Sequence, residues 1–406
     1  MQTLPKQLHI VAFDVPYPAD YGGVIDIFYK VQALHKQGVE VTLHMYQYGR
    51  ERNTQVLKKY CKKLFYYKRR TFKNPFIGSK PYIVNSRNGD DLLTNLCKDS
   101  NPIMFEGLHC TYHLANPKLA NRYKIVRTHN IEHHYYKHLE KSELSYFKKY
   151  FFRIEAEKLR KYESVLKHAN LIAAISPNDT KYFSKKYKNV IYLPAFHSCS
   201  KMTYPGGRGD FVLYHGNLAV PENYIAAMQL VKEVFSKLDI DCVIAGNNPP
   251  KELSQLCEQY DNIALQSNIT TEEIQTLIQK AHLNVLYTNQ NTGIKLKLLN
   301  ALYRGKFAIV NPKMVDGSGL EKVCTIGKDF AEILAKIKEY MLLDYSQSYF
   351  DNRKEYIEAR FGNKTGATTL INAINFKITK QVGRKSDGKV LKSLSQFSSF
   401  MSYFSL

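Results

Sequence analysis

The stretch RTHNIEHHYY, residues 127–136, sets His129, Asn130, Glu132, His133 and His134 directly after a short apolar run. So many histidines raise the question of a metal, but no ligand set with zinc spacing completes the cluster. What remains is a turn histidine held by its neighbours or one that meets a polar substrate. Glu132 either orients His129 or caps the helix that follows. A second stretch, MFEGLHCTYH (residues 104–113), ends another apolar run with Glu106 and His109. Both side-chain types can take a proton from a hydroxyl within hydrogen-bond reach. Both are equally at home in the local hydrogen bonds of a loop.

Other residues suit the holding of an anion. Gly22 and Gly23 in DYGGVIDIF, and Gly216 in YHGNLAVPEN, sit in turns before helices. Glycine there lets backbone N–H groups close on a phosphate at the positive end of a helix. NTGIKLKLLNALYRGKFAIV, residues 291–310, reads as turn, helix and buried strand. Its Lys295 and Lys297 fall in a first helical turn, where the dipole disfavours cations. A phosphate held with the amides of Gly293, Ile294 and Lys295 would remove that conflict. The plainer reading is two solvated lysines on a core helix, since Leu298, Leu299 and Leu302 form an apolar stripe. Gly246 with Asn247, and the loop VDGSGL at 315–320, offer further backbone groups.

Elements that could position these residues recur along the chain. Apolar runs at 9–13, 40–45, 103–105, 125–127 and 171–174 alternate with helical patterns such as 24–36. Residues 194–209 read as a linker. The alternation then restarts, with strands at 211–214, 242–246, 263–265, 283–287 and 307–310 and helices at 222–237, 328–341 and 346–360. Repeated β/α alternation implies a parallel sheet covered on both faces, here twice. The 406 residues, 44% of them hydrophobic, suffice for two cores. We expect a first domain at 1–195, with a helix at 345–376 packing back on it. A second domain is expected at 196–344, and a basic, amphipathic tail at 377–406. Seven scattered cysteines with no CxxC pair argue against a disulfide framework and for reduced thiols in the cytoplasm.

PYPADYGGVIDIFYKVQALHKQGVEVTLH resembles the N-terminal signature of GT-B-fold glycosyltransferases of family 4. VLYHGNLAVPENYIAAMQLV resembles the start of their second domain, and residues 291–320 resemble their donor segment. The resemblance runs in order over about 8–375. It implies an α/β GT-B fold, two doubly wound Rossmann-like domains facing each other across a cleft. It also implies hexosyl transfer from a nucleotide-sugar donor to a saccharide or polyprenyl-linked acceptor in surface-polysaccharide synthesis, with retention, without metal and with no cofactor. In such enzymes a histidine at the place of His129 contacts the transferring sugar, while Glu106 and His109 would meet the acceptor. Gly22, Gly23, Gly216, Gly246 and residues 292–297 would line the donor. Four positions carry different chemistry here. The usual arginine and lysine after the turn glycine are Asn217 and Asn223, and the usual glutamate pair is Thr292 and Asn300. Each can hydrogen-bond to phosphate or sugar, but none brings charge. Lys295 and Lys297 are the cations left to grip the diphosphate.

Lys and Arg total 58 against 36 Asp and Glu, a net charge of +22. Residues 58–76 hold eight basic residues among Phe and Tyr, and 146–163 repeats the pattern in helical form. Basic, aromatic surfaces of this kind suit the anionic inner face of a cytoplasmic membrane. In the tail, Leu394, Phe397, Phe400, Met401 and Phe404 share a helical face, which reads as an anchor or as a disordered extension. Nucleic acid is the weaker partner, since no RNP, helix-turn-helix or zinc-finger pattern is present. A catalytically silent GT-B scaffold that binds nucleotide or glycan is the other alternative, in view of the missing charges.

Overall fold

The computed structural model describes residues 7–47, 54–71, 78–143, 145–199, 201–290 and 296–375. Two parallel sheets organise it. The first contains β1 (Gln7–Ala12), β2 (Glu40–Gln47), β3 (Cys61–Lys68), β4 (Ile103–Glu106), β5 (Lys124–Thr128), β6 (Leu171–Ala174) and β7 (Val190–Tyr192), in the order β3-β2-β1-β4-β5-β6-β7. The second contains β8 (Val212–His215), β9 (Cys242–Gly246), β10 (Ile263–Ser267), β11 (Leu283–Leu286), β12 (Phe307–Val310) and β13 (Thr325–Ile326), in the order β10-β9-β8-β11-β12-β13. The central strands are mostly apolar and almost wholly buried, because helices cover both faces and neither side of the pleat meets water.

Strand order reverses at β1/β4 in the first sheet and at β8/β11 in the second. Ligands bind at the strand C-termini beside such reversals. The first reversal brings together the loop after β1, the start of the helix Gly22–Lys36, and the turn after β4. The second brings the turn after β8 toward the segment that follows β11. The helix Leu296–Arg304 buries Leu298, Leu299 and Leu302, each contributing about 1.5–3 kcal/mol by burial.

The chain crosses between the domains twice. Phe196 belongs to the first core, whereas Cys199 and Met202 belong to the second. The return crossing lies later than expected. The helix Gln347–Phe361 buries Phe350, Ile357 and Phe361 in the second core. Only 363–375 packs on the first, through Ala367, Leu370, Ile371 and Ile374. The expected helix at 345–376 is therefore two helices divided at Gly362, and its first half stays with the second domain. At the crossing, the His197 amide donates to Asn363 Oδ1 (3.1 Å) and Asn363 Nδ2 donates to the His197 carbonyl (2.7 Å).

Candidate active site

His129 stands at the end of β5, and its surroundings fix its role. Its Nε2 lies 3.0 Å from Glu106 Oε2, and beneath both is a network of buried charges. Lys30 Nζ contacts Asp26 Oδ2 and Glu106 Oε1, each at 2.8 Å. Arg127 donates to Asp26 Oδ2 from Nε (3.1 Å) and to Oδ1 from its terminal nitrogen (2.9 Å). Asp26, Lys30, Glu106 and Arg127 are fully buried. Burial alone would raise both carboxyls, but Arg127 and Lys30 outweigh it at Asp26 and Lys30 and His129 outweigh it at Glu106, so both are held below their ordinary range. An ionised Glu106 only accepts, so His129 donates to it through an Nε2–H.

This arrangement corrects the reading of Glu106 as a residue that meets an acceptor hydroxyl. It lies beneath the cleft floor, committed to Lys30 and His129. Asp26, Glu106 and His129 also offer ligand atoms within 4.8 Å of one another, a spacing a metal could use. The Lys30 ammonium already occupies the position between the two carboxylates, which satisfies their charge without an ion.

His109 approaches from the turn after β4. Gly107 takes φ +68°, and a Cβ there would stand 2.8 Å from His109 Nδ1, so glycine both makes the turn and leaves room for the ring. Phe13 supports both imidazoles, tilted on His109 at 5.2 Å and edge-on to His129 at 5.4 Å between ring centroids. Gly23 makes room for that ring, since a Cβ there would lie 2.5 Å from Phe13 Cζ. Gly22 faces the second domain instead, where a Cβ would lie 3.8 Å from Leu296 Cδ1 at the start of the helix Leu296–Arg304. Glu132 opens the helix Glu132–Ser142 and is only 5% exposed. Among the described residues neither its Oε1 nor His109 Nδ1 has a hydrogen-bond partner, and they lie 3.8 Å apart. Burial, aided by Asp179, pushes the Glu132 carboxyl up to about 8, and burial with Arg87 and His129 holds the His109 imidazole well below its usual range.

Across the cleft, the turn after β8 is closed by its own asparagines. Asn223 Nδ2 donates to the Asn217 carbonyl at 3.0 Å, and Asn217 Oδ1 accepts from the Ala219 amide at 3.2 Å. Gly216 lies against Asn223, which a Cβ would approach to 3.2 Å. Lys297 reaches over from its helix, donates to Asn223 Oδ1 at 3.0 Å and rests 5.3 Å from the Tyr214 ring centroid. Gly246 packs against this turn, where a Cβ would fall 1.8 Å from the Gly216 carbonyl. Asn300 turns away, its Oδ1 accepting from Arg304 Nε at 2.9 Å with Cys199 Sγ at 3.5 Å. Thr292, Gly293, Ile294 and Lys295 lie outside the described residues, as does the tail.

Asp26, Lys30 and Arg127 were not read from the sequence as site residues. Their signal was present: two opposite charges one helical turn apart inside VIDIFYKV, and an arginine inside the strand KIVRT. Charges set into apolar periodicity are buried and paired.

No family model matches the chain. An uncharacterised 44.6 kDa protein in the cps region of Klebsiella pneumoniae is 28% identical over 332 residues, 76% of this chain and 84% of that protein. Among solved structures, sucrose-phosphate synthase from Thermosynechococcus elongatus superposes with a TM-score of 0.63 at 13% identity, covering 94% of this chain and all of that one. The apo lipopolysaccharide outer core galactosyltransferase WaaB superposes with a TM-score of 0.63 at 12% identity, covering 91% and 99%. At these identities the likeness is one of fold.

Proposed function

We propose that this chain, whose fold is GT-B, is a glycosyltransferase. It moves a sugar from a nucleotide-diphosphate donor to a saccharide or lipid-linked acceptor in surface-polysaccharide synthesis. The observation that carries the reading is the convergence of Lys297 on the turn Gly216–Asn217–Asn223 at the second strand reversal. A cation there stands in for the positive charge the turn itself lacks. The donor diphosphate would rest on that turn and Lys297, its sugar directed toward His129 Nδ1. The acceptor would approach from the side of His109. Closure of the domains would exclude water. The cps-region relative and the galactosyltransferase neighbour support the polysaccharide setting.

Finer features belong to the same proposal. The resemblance carries retention of anomeric configuration and independence of metal and cofactor, and the charge pairing of Asp26, Glu106 and Lys30 agrees with the absence of a metal role there. Among the described residues no helix is long and apolar enough to cross a membrane. Peripheral attachment at the cytoplasmic face would use the helix Tyr146–Tyr162, which exposes Tyr146 (89%), Phe147 and Tyr150 beside Lys148 and Lys149.

The test is thermal stabilisation by UDP-, GDP- and ADP-linked sugars. A donor at 100 times its dissociation constant adds about 2.7 kcal/mol. The reading requires a shift with one nucleotide family and its loss in Lys297→Ala. A shift with none of them, or one that Lys297→Ala leaves intact, overturns it.

A further inference from the structure

The charge network beneath His129 also holds the chain where it leaves the first domain. Asp26 Oδ1, which Arg127 engages, accepts from the Phe196 amide at 2.8 Å. Arg127 donates as well to the Leu193 carbonyl and, at 3.2 Å, to the Pro194 carbonyl. Lys30 Nζ, the ammonium shared by Asp26 and Glu106, lies 5.7 Å from the Phe196 ring centroid. The opposite side of that ring's environment is the returning helix 363–375: a Cβ on Gly366 would come within 3.0 Å of Phe196 Cζ. One aromatic residue on the outgoing strap is thus held by backbone and ring from the network and lies against the returning helix as well. Asp26 Oδ2 is 4.0 Å from His129 Nε2.

We propose that Asp26 and Arg127 are positioning residues that set two things together, the place of the His129 ring and the angle at which the second domain is held. Through Lys30 and Glu106 the network fixes the ring, and through Phe196 and the carbonyls of 193 and 194 it fixes the strap. The role in transfer rests on the glycosyltransferase reading above; the coupling itself does not. A static anchor would need only one of these outputs. A carboxylate with one oxygen on the strap amide and the other on the ammonium that orients Glu106 transmits displacement of either to the other, because buried charges that lose one partner seek another. The guanidinium is suited to this, since its planar fork meets Asp26 and two carbonyls at once, which a lysine ammonium cannot do in the same geometry.

The experiment uses the full chain with Arg127→Lys, which keeps the charge and drops the fork, and Asp26→Asn as the second variant. Two readouts need no turnover. Spin-label distances between the domains should broaden in the variants without ligand, and selective ¹⁵N-histidine spectra should show His129 losing its Nε2–H tautomer although Arg127 does not touch it. With donor and acceptor, kcat should fall at least tenfold in Arg127→Lys while KM for donor changes less than threefold. Arg127→Lys with wild-type distances and a wild-type His129 signal overturns the coupling, as does a change in one readout without the other. If Arg127→Lys fails to fold, the same paired outcome is read from Asp26→Asn or from Phe196→Leu, which keeps the amide and removes the ring. A wild-type protein that transfers no sugar would count against the functional reading and would leave these two measurements to decide the coupling.

Discussion

Replacing Glu132 with glutamine tests the cleft electrostatics directly. The carboxyl is buried, its Oε1 lacks a hydrogen-bond partner among the described residues, and burial reinforced by Asp179 raises it from an ordinary 4.5 to about 8. A raised acid holds its proton more tightly in the folded state. Its contribution is therefore fully present below pH 4.5, declines as pH rises, and is lost above about 8. At about 1.4 kcal/mol per pH unit, the shift is worth on the order of 5 kcal/mol between those limits. Glutamine mimics the neutral acid and cannot ionise. At pH 5 the variant should match wild type to within about 1 kcal/mol, the usual effect of a conservative change. At pH 9 it should be the more stable of the two by several kcal/mol. Urea midpoints of both proteins, taken side by side from pH 5 to 9, measure the difference without reference to other titrating groups. Asp179, itself raised to about 6 mainly by burial, sharpens the trend as it ionises. A stability difference that stays flat from pH 5 to 9, or that moves against the variant, would refute the reasoning.

Three other expectations can be checked on the same protein. Lys30→Met should cost about 3–5 kcal/mol by leaving Glu106 and Asp26 short of charge, and adding Glu106→Gln should recover part of the loss in a thermal melt. Gly107→Ala must accept φ +68° and a Cβ 2.8 Å from His109 Nδ1; it should lose about 1–2 kcal/mol and at least tenfold in transfer, with the donor-induced thermal shift retained. Gly246→Ala, whose Cβ would strike the Gly216 carbonyl, should cost about 1–3 kcal/mol and abolish that shift, read by the same melt.

The interior strands were legible because they are short apolar runs between helical patterns. β3, β7 and β13 were not read as strands, and all three lie at sheet edges. Cys61–Lys68 exposes Lys62 and Lys63 on one side, so it reads as a basic stretch and not as an alternation. Val190–Tyr192 and Thr325–Ile326 are too short for any period to appear. His109, His129 and Lys297 stand out in the sequence as polar residues at the ends of elements, where side chains converge once strands lie parallel. Glu106 departs from expectation for the same reason: its position at a strand end says nothing of whether a lysine 76 residues away in the chain turns it inward. That partner comes from the helix Gly22–Lys36, and such pairings belong to the packing of one element on another. The split at Gly362 was equally hidden, because both helices carry apolar stripes and nothing local states which core each will join.

The exchange of hydrogen bonds between His197 and Asn363 means that the second domain is entered and left at one point. In topological terms it is a cassette, spliced into the first domain with its two ends touching. Such an insert can be exchanged for that of a relative by two cuts beside each other, without rebuilding the sheet or the terminal helix of the host. Under the proposed glycosyltransferase reading such a graft would exchange donor choice while leaving the acceptor side in place, and a chimera joined at Ser198 and Gly362 is the natural place to begin.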